Sequence, residues 1–198
     1  IKNATLVDGL GGAPKAGDLA IKDGVIAEIG AISGQAKETI NAEGAYAAPG
    51  WVDVHTHYDG QVSWDDVMDP SFSHGVTSVV MGNCGVGFAP CPPGGEQRMI
   101  ELMEGVEDIP GTALYEGIEW GRWETFPEYI EYLGTREYTL DIGTQVPHSA
   151  VRNYVMGERA LRHEDATAED LSAMAAIVQG ALEAGALGFS ASRTIGHR

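Results

Sequence analysis

Apolar and polar positions along the chain follow two regimes. Over residues 1–48, short apolar stretches are broken every few positions by glycine, at Gly9, Gly11, Gly12, Gly17, Gly24 and Gly30. The stretches at 4–7, 18–22, 25–29 and 39–41 are too short for helices and read as strands. Between the second and third, Asp23-Gly24 predicts a hairpin turn, because both residues tolerate the positive φ that a tight turn needs. This part is expected to be small and all-β.

At Ala47-Ala48-Pro49-Gly50 the character changes, and residues 49–198 read as a second domain. Four mainly apolar runs, at 51–55, 76–81, 138–146 and 186–190, predict strands. Helices are predicted over 97–104, 126–133, 149–156 and 168–184. In the last of these, Leu171, Met174, Ile177, Val178, Ala181 and Leu182 form one stripe at helical spacing. Thr167 is placed to cap it, Glu169 and Asp170 favour its first turn, and Gly185 stops it. Strand–helix–strand alternation predicts an α/β fold with a parallel sheet, open or closed into a barrel.

Composition narrows the function classes. The net charge of −17, with no basic patch, argues against nucleic acid and anionic membrane surfaces as partners. No apolar stretch is long enough to span a bilayer and no signal-peptide pattern is present. The two cysteines, Cys84 and Cys91, form neither a Cys-x-x-Cys pair nor a disulfide framework, so a reducing, cytoplasmic compartment is expected. The chain starts at Ile1 and stops at Arg198, just past an apolar run, which reads as a fragment of a longer protein.

The chemistry concentrates after the predicted strands. In Trp51-Val52-Asp53-Val54-His55-Thr56-His57, strand alternation places Asp53, His55 and His57 on one face and Val52, Val54 and Thr56 on the other. With the valines under helices, the two imidazoles sit about 6–7 Å apart at the carboxyl end of the strand, where parallel α/β enzymes build their sites. Two such histidines either converge on a divalent ion or are core and surface histidines bonded to Asp53. Gly82-Asn83-Cys84-Gly85 follows the second strand, so a Cys84 thiolate faces the same mouth; the alternative is a small buried hydrophobe. His148 and Arg193 follow the third and fourth strands, as candidates to hold a substrate carboxylate, against a Ser149 helix cap and a solvated arginine. Cys91, in a proline-rich loop, reads as structural. The acidic stretches at 101–108 and 116–124 read as solvated, and Trp120, Trp123, Phe126 and Tyr129 as a local apolar cluster.

Taken together, Pro49-Gly50-Trp51-Val52-Asp53-Val54-His55-Thr56-His57 resembles the first barrel strand of the amidohydrolase superfamily. Gly82-Asn83-Cys84-Gly85 and Gly185-Ala186-Leu187-Gly188-Phe189-Ser190 resemble its D-aminoacylase branch, the N-acyl-D-amino-acid deacylases. The resemblance covers nearly the whole chain. It implies a (β/α)₈ TIM-type barrel, of which residues 49–198 are about the first half, preceded by part of a small β-sandwich at 1–48.

It also implies that His55 and His57 line a metal centre and that Cys84 is a ligand, in place of the carboxylated lysine of other members. No lysine follows Lys37. One or two zinc or other divalent ions, an N-acyl amino acid as substrate and amide hydrolysis by metal-activated water follow from the same resemblance. The general-base aspartate and two more histidines are expected beyond Arg198. The remaining half of the barrel, or a complementing chain, is then a required partner, and residues 1–198 alone are expected to be inactive. Two alternatives stand beside this: a cyclic-amide amidohydrolase of the hydantoinase and dihydropyrimidinase type, and a non-catalytic metal-binding or structural fragment.

Overall fold

The structure is a computed structural model that describes residues 1–104 and 109–192. The chain divides into two compact units, Ile1–Gly50 and Trp51–Arg198.

The first unit is a sheet of four strands, β1 (Ala4–Leu6), β2 (Lys15–Lys22), β3 (Val25–Gly30) and β4 (Tyr46–Ala47), in the order β3-β2-β1-β4. The pairs β1–β2 and β2–β3 are antiparallel, and β4 joins β1 in parallel. Asp23 and Gly24 turn the β2–β3 hairpin with φ of 53° and 77°, the left-handed pair that a two-residue hairpin favours. The expected strand at 39–41 does not form. Asn41 makes only an isolated bridge to Lys2, and the edge position goes to β4, whose two residues are too few to show a pattern.

In the second unit, β5 (Trp51–Asp53), β6 (Val76–Met81) and β7 (Asp141–Thr144) form a parallel three-stranded sheet in that order. A second parallel pair joins β8 (Val146–Pro147) to β9 (Phe189–Ser190). Three helices, α1 (Glu96–Glu104), α2 (Gly111–Gly117) and α3 (Phe126–Gly134), connect β6 to β7. Three more, α4 (His148–Met156), α5 (Glu158–Leu161) and α6 (Ala168–Glu183), connect β8 to β9. Parallel strands require crossovers of this length. No helix among the described residues is long and apolar enough to cross a membrane.

The predicted third strand is split at Gln145, where the backbone changes partners. Gln145 N–H donates to the Met81 carbonyl at 2.9 Å, whereas Val146 N–H donates to the Gly188 carbonyl at 2.8 Å. The run at 186–190 is accordingly reduced to β9. The short helices α2 and α5 were not legible in the pattern; α2 is anchored by one side chain, the fully buried Leu114.

The core of this unit lies between β6, β8 and the helices. Val79 and Met81 share one buried cluster with Met99, Ile100 and Met103 of α1, the aromatic side chains of α3, and Ala150 and Val151 of α4. Burying such side chains stabilises by about 1.5–3 kcal/mol each. The aromatic cluster forms as expected: the Trp123 ring lies 4.8 Å from Tyr129 and 5.0 Å from Tyr132, and its Nε1 donates to the Phe88 carbonyl. The stretch at 116–124 is thus not wholly solvated, since Ile118 and Trp123 are buried. Helix α6 opens on a capping box in which Thr167 and Asp170 bond reciprocally. Its apolar stripe is only partly covered: Ala181 is buried, but Leu171 and Leu182 are exposed.

Candidate metal centre

Every candidate ligand follows the carboxyl end of a parallel strand. Strand β5 stops at Asp53 because the Asp53 carboxylate accepts the His55 N–H at 3.1 Å, an Asx-type bond that takes this donor out of the ladder. Residues 54–57 therefore leave the sheet. The alternation expected for them does not hold, and Val52 and Val54 are exposed rather than packed under helices. Thr56 restores one tie, its N–H and Oγ1 both donating to the Val80 carbonyl at 2.9 Å. The His55 and His57 rings end 5.5 Å apart, edge to face.

Cys84 sits in a 3₁₀ turn, Asn83–Gly85, directly after β6. Gly82, Cys84 and Gly85 all have left-handed φ, of 74°, 54° and 74°. For a cysteine that conformation costs about 1–3 kcal/mol and persists only where neighbours hold it. Three serines do so. Ser190 Oγ donates to the Gly82 carbonyl and accepts from Gly85 N–H at 3.0 Å. Ser192 Oγ donates to the Cys84 carbonyl at 2.7 Å, and Ser149 Oγ donates to the Gly85 carbonyl. Ser149 thus does not cap α4, contrary to the local reading. At Gly82 only glycine fits, because a Cβ there would lie 2.1 Å from the Gln145 carbonyl oxygen.

These constraints aim the Cys84 thiol at the histidines. His55 Nε2 lies 3.2 Å from Cys84 Sγ, and one ligand atom from each of His55, His57 and Cys84 lies within 4.8 Å of the others. A tetrahedral ion with bonds of about 2.0–2.3 Å holds its ligand atoms roughly 3.3–3.6 Å apart, so a closing movement of about 1 Å, within reach of side-chain rotation, brings all three onto one divalent ion. Soft thiolate with imidazole is a donor set suited to zinc. Among the described residues these three are brought together as a possible metal site; His55 is exposed, and His57 and Cys84 are half-buried.

His148 begins α4 with its ring edge-on to Phe189 at 6.2 Å, in a groove whose lining includes Val151, Met174, Val178 and Leu182. Arg193 falls outside the described residues. Cys91 is buried, and that burial, with Glu96 and Glu124 nearby, pushes its thiol up to about 12, which disfavours a reactive thiolate. The bonds from Ser149, Ser190 and Ser192 to the turn span 64, 105 or 108 positions, a separation that no local pattern signals.

Known proteins share this arrangement of sequence. A model of the Amidohydrolase family matches residues 38–198. An N-acyl-D-aspartate deacylase of Alcaligenes xylosoxydans xylosoxydans is 34% identical over 191 residues, covering 96% of this chain and 35% of that protein. The solved structure of a D-aminoacylase, described for its binuclear metal centre with one-metal activation and second-metal attenuation, superposes with a TM-score of 0.72 at 29% identity, covering 96% of this chain and 37% of that one. An N-acyl-D-glutamate deacylase from Bordetella bronchiseptica, complexed with zinc and a phosphonate mimic of the tetrahedral intermediate, superposes at 0.68 with 30% identity and the same coverage. The chain spans about a third of the length of the curated relatives it matches. Matched over most of its length by the family model, and by deacylases along nearly all of it, the chain belongs to the amidohydrolase family.

Proposed function

We propose that the whole protein is a metal-dependent hydrolase that cleaves the amide of an N-acyl-D-amino acid, with His55, His57 and Cys84 as ligands of its divalent metal, zinc first among the candidates. The observation that carries this reading is the convergence of the three ligand atoms within 4.8 Å, beyond the carboxyl ends of two adjacent parallel strands. When bound, the metal supplies Lewis acidity, activating water near neutral pH and polarising the scissile carbonyl. The chain's own residues supply the geometry: Asp53 fixes the backbone of His55, and the left-handed turn directs Cys84 toward it.

By resemblance to the deacylase branch, the general base is assigned to an aspartate beyond Arg198; the Asp53 carboxylate accepts the His55 N–H. Arg193 is assigned to the substrate carboxylate, with His148 second because its ring packs on Phe189. The parallel strands, with helices between β6 and β7 and between β8 and β9, support reading residues 49–198 as about the first half of a (β/α)₈ barrel. Residues 1–48 are read as part of a small β-sandwich. A cyclic-amide substrate ranks second because those family members usually carry a lysine where this chain offers Cys84.

The test is hydrolysis of N-acyl-D-amino acids and their L-enantiomers by the protein expressed from its complete reading frame. Selective D-hydrolysis, lost on chelation, restored by zinc and abolished by Cys84→Ala, is the expected result. Activity indifferent to chelation and to Cys84→Ala overturns the proposal.

A further inference from the structure

We propose that Asn83 is a positioning residue for the metal centre, setting the distance between the His55–His57 segment and the Cys84 turn through one buried amide. The inference rests on the metal reading above and goes beyond its ligands. Asn83 is buried, 6% exposed, and is not itself among the converging ligands. Its Nδ2 donates to the Thr56 carbonyl at 3.2 Å and to the Val80 carbonyl at 2.8 Å. Its Oδ1 accepts from Gln145 Nε2 at 2.8 Å. Both carbonyls only accept, so the amide has one workable orientation, and both of its N–H donors are used.

The position of these bonds makes the residue more than a core amide. Thr56 lies between the two histidines, and Cys84 is the residue after Asn83. Strand β5 has already ended at Asp53, so residues 54–57 lack a continuous ladder. The hydrogen bonds that tie Thr56 to β6 and its turn pass through two points: the Val80 carbonyl, which accepts from Thr56 N–H, Thr56 Oγ1 and Asn83, and the Asn83 amide itself. Gln145 braces the far side of that amide from the point where the chain passes from β7 to β8. Asparagine alone among side chains of this size offers two donors and an acceptor in one plane. Aspartate would turn a carboxylate toward two carbonyl oxygens, and leucine would take the Asn83 donor from the Thr56 carbonyl and one of three donors from that of Val80.

Groups that orient ligands without touching the metal are worth roughly 10–100-fold in metal affinity. The experiment is a titration of the purified protein with Co²⁺ alone, followed by the thiolate-to-cobalt absorption, for wild type, Asn83→Ala and Gln145→Ala. Each variant is also unfolded in urea, to separate affinity from stability. Wild type is expected to show the thiolate band. Asn83→Ala, still folded, is expected to bind Co²⁺ roughly 10–100-fold more weakly with an altered band, and Gln145→Ala to lose affinity in the same direction but less. If Asn83→Ala does not fold, Gln145→Ala decides: weakened binding supports the proposal and unchanged binding overturns it. Folded variants that match wild type in affinity and band, whatever their urea midpoints, overturn the positioning role and leave the metal site standing. A wild-type protein with no thiolate band removes the metal reading itself.

Discussion

Replacing Gly82 with alanine isolates the tightest constraint on the cysteine turn. Gly82 has φ of +74°, and an added Cβ would lie 2.1 Å from the Gln145 carbonyl oxygen and 3.0 Å from its carbonyl carbon. Forcing an alanine into the left-handed region costs about 1–2 kcal/mol. Relieving a backbone contact by shifting the β7–β8 link adds the cost of overpacking, about 1–3 kcal/mol. The expected loss is about 2–5 kcal/mol, a large share of the roughly 5–15 kcal/mol that holds a folded protein. Gly94 is the control within the same unit, because its φ is +78° and a Cβ there meets nothing within 4 Å. Gly94→Ala should therefore cost only the conformational part, about 1–2 kcal/mol. All four tryptophans, Trp51, Trp64, Trp120 and Trp123, lie in the second unit, so urea unfolding followed by tryptophan fluorescence reads that unit directly. Equal losses for the two alanines would refute the close approach of Gly82 to Gln145 and, with it, the account of how Cys84 is aimed.

Two further outcomes follow from the titratable groups. The Arg159 guanidinium beside Asp170, helped by Thr167 N–H, lowers the Asp170 carboxyl from its ordinary 3.8 to about 2, so its contribution is present above pH 4 and lost as pH falls through 2. Asp170→Asn should lower the urea midpoint at pH 6 and match wild type near pH 2; an offset that persists unchanged into acid contradicts the pairing. Thiol labelling of the folded protein at pH 8 should modify Cys84, which is half-buried, and spare Cys91, which is buried and held protonated, until urea is added. Equal labelling rates, resolved by mass spectrometry of the two peptides, would contradict that difference.

What the sequence made legible was local. Asp23-Gly24 and the Thr167 cap depend on neighbours a few positions away, and both form as read. The helices of strong period lie within a residue or so of their expected bounds, because amphipathic spacing is set by the chain itself. The failures are tertiary. The strand predicted at 51–55 ends two residues early, since nothing in its pattern announces that Asp53 captures the His55 N–H. The run at 138–146 looks continuous, but its backbone changes partners at Gln145. His55 and His57 lie past the end of β5, outside its alternation, and meet Cys84 through the turn after β6. His55, His57 and Cys84 were visible as residue types at strand ends. The network that orients them, from Ser149, Ser190, Ser192 and Gln145, was not, because those partners lie 62 to 108 positions from the groups they hold.

The central claim is that His55, His57 and Cys84 hold one divalent metal. Its most direct test is anomalous diffraction at the zinc edge from crystals of the protein grown with zinc. The account predicts a peak bonded to Cys84 Sγ and to at least one of the two imidazoles, at about 2.3 Å and 2.0–2.1 Å respectively. Zinc bound elsewhere, with the three side chains separate and no peak among them, would contradict it.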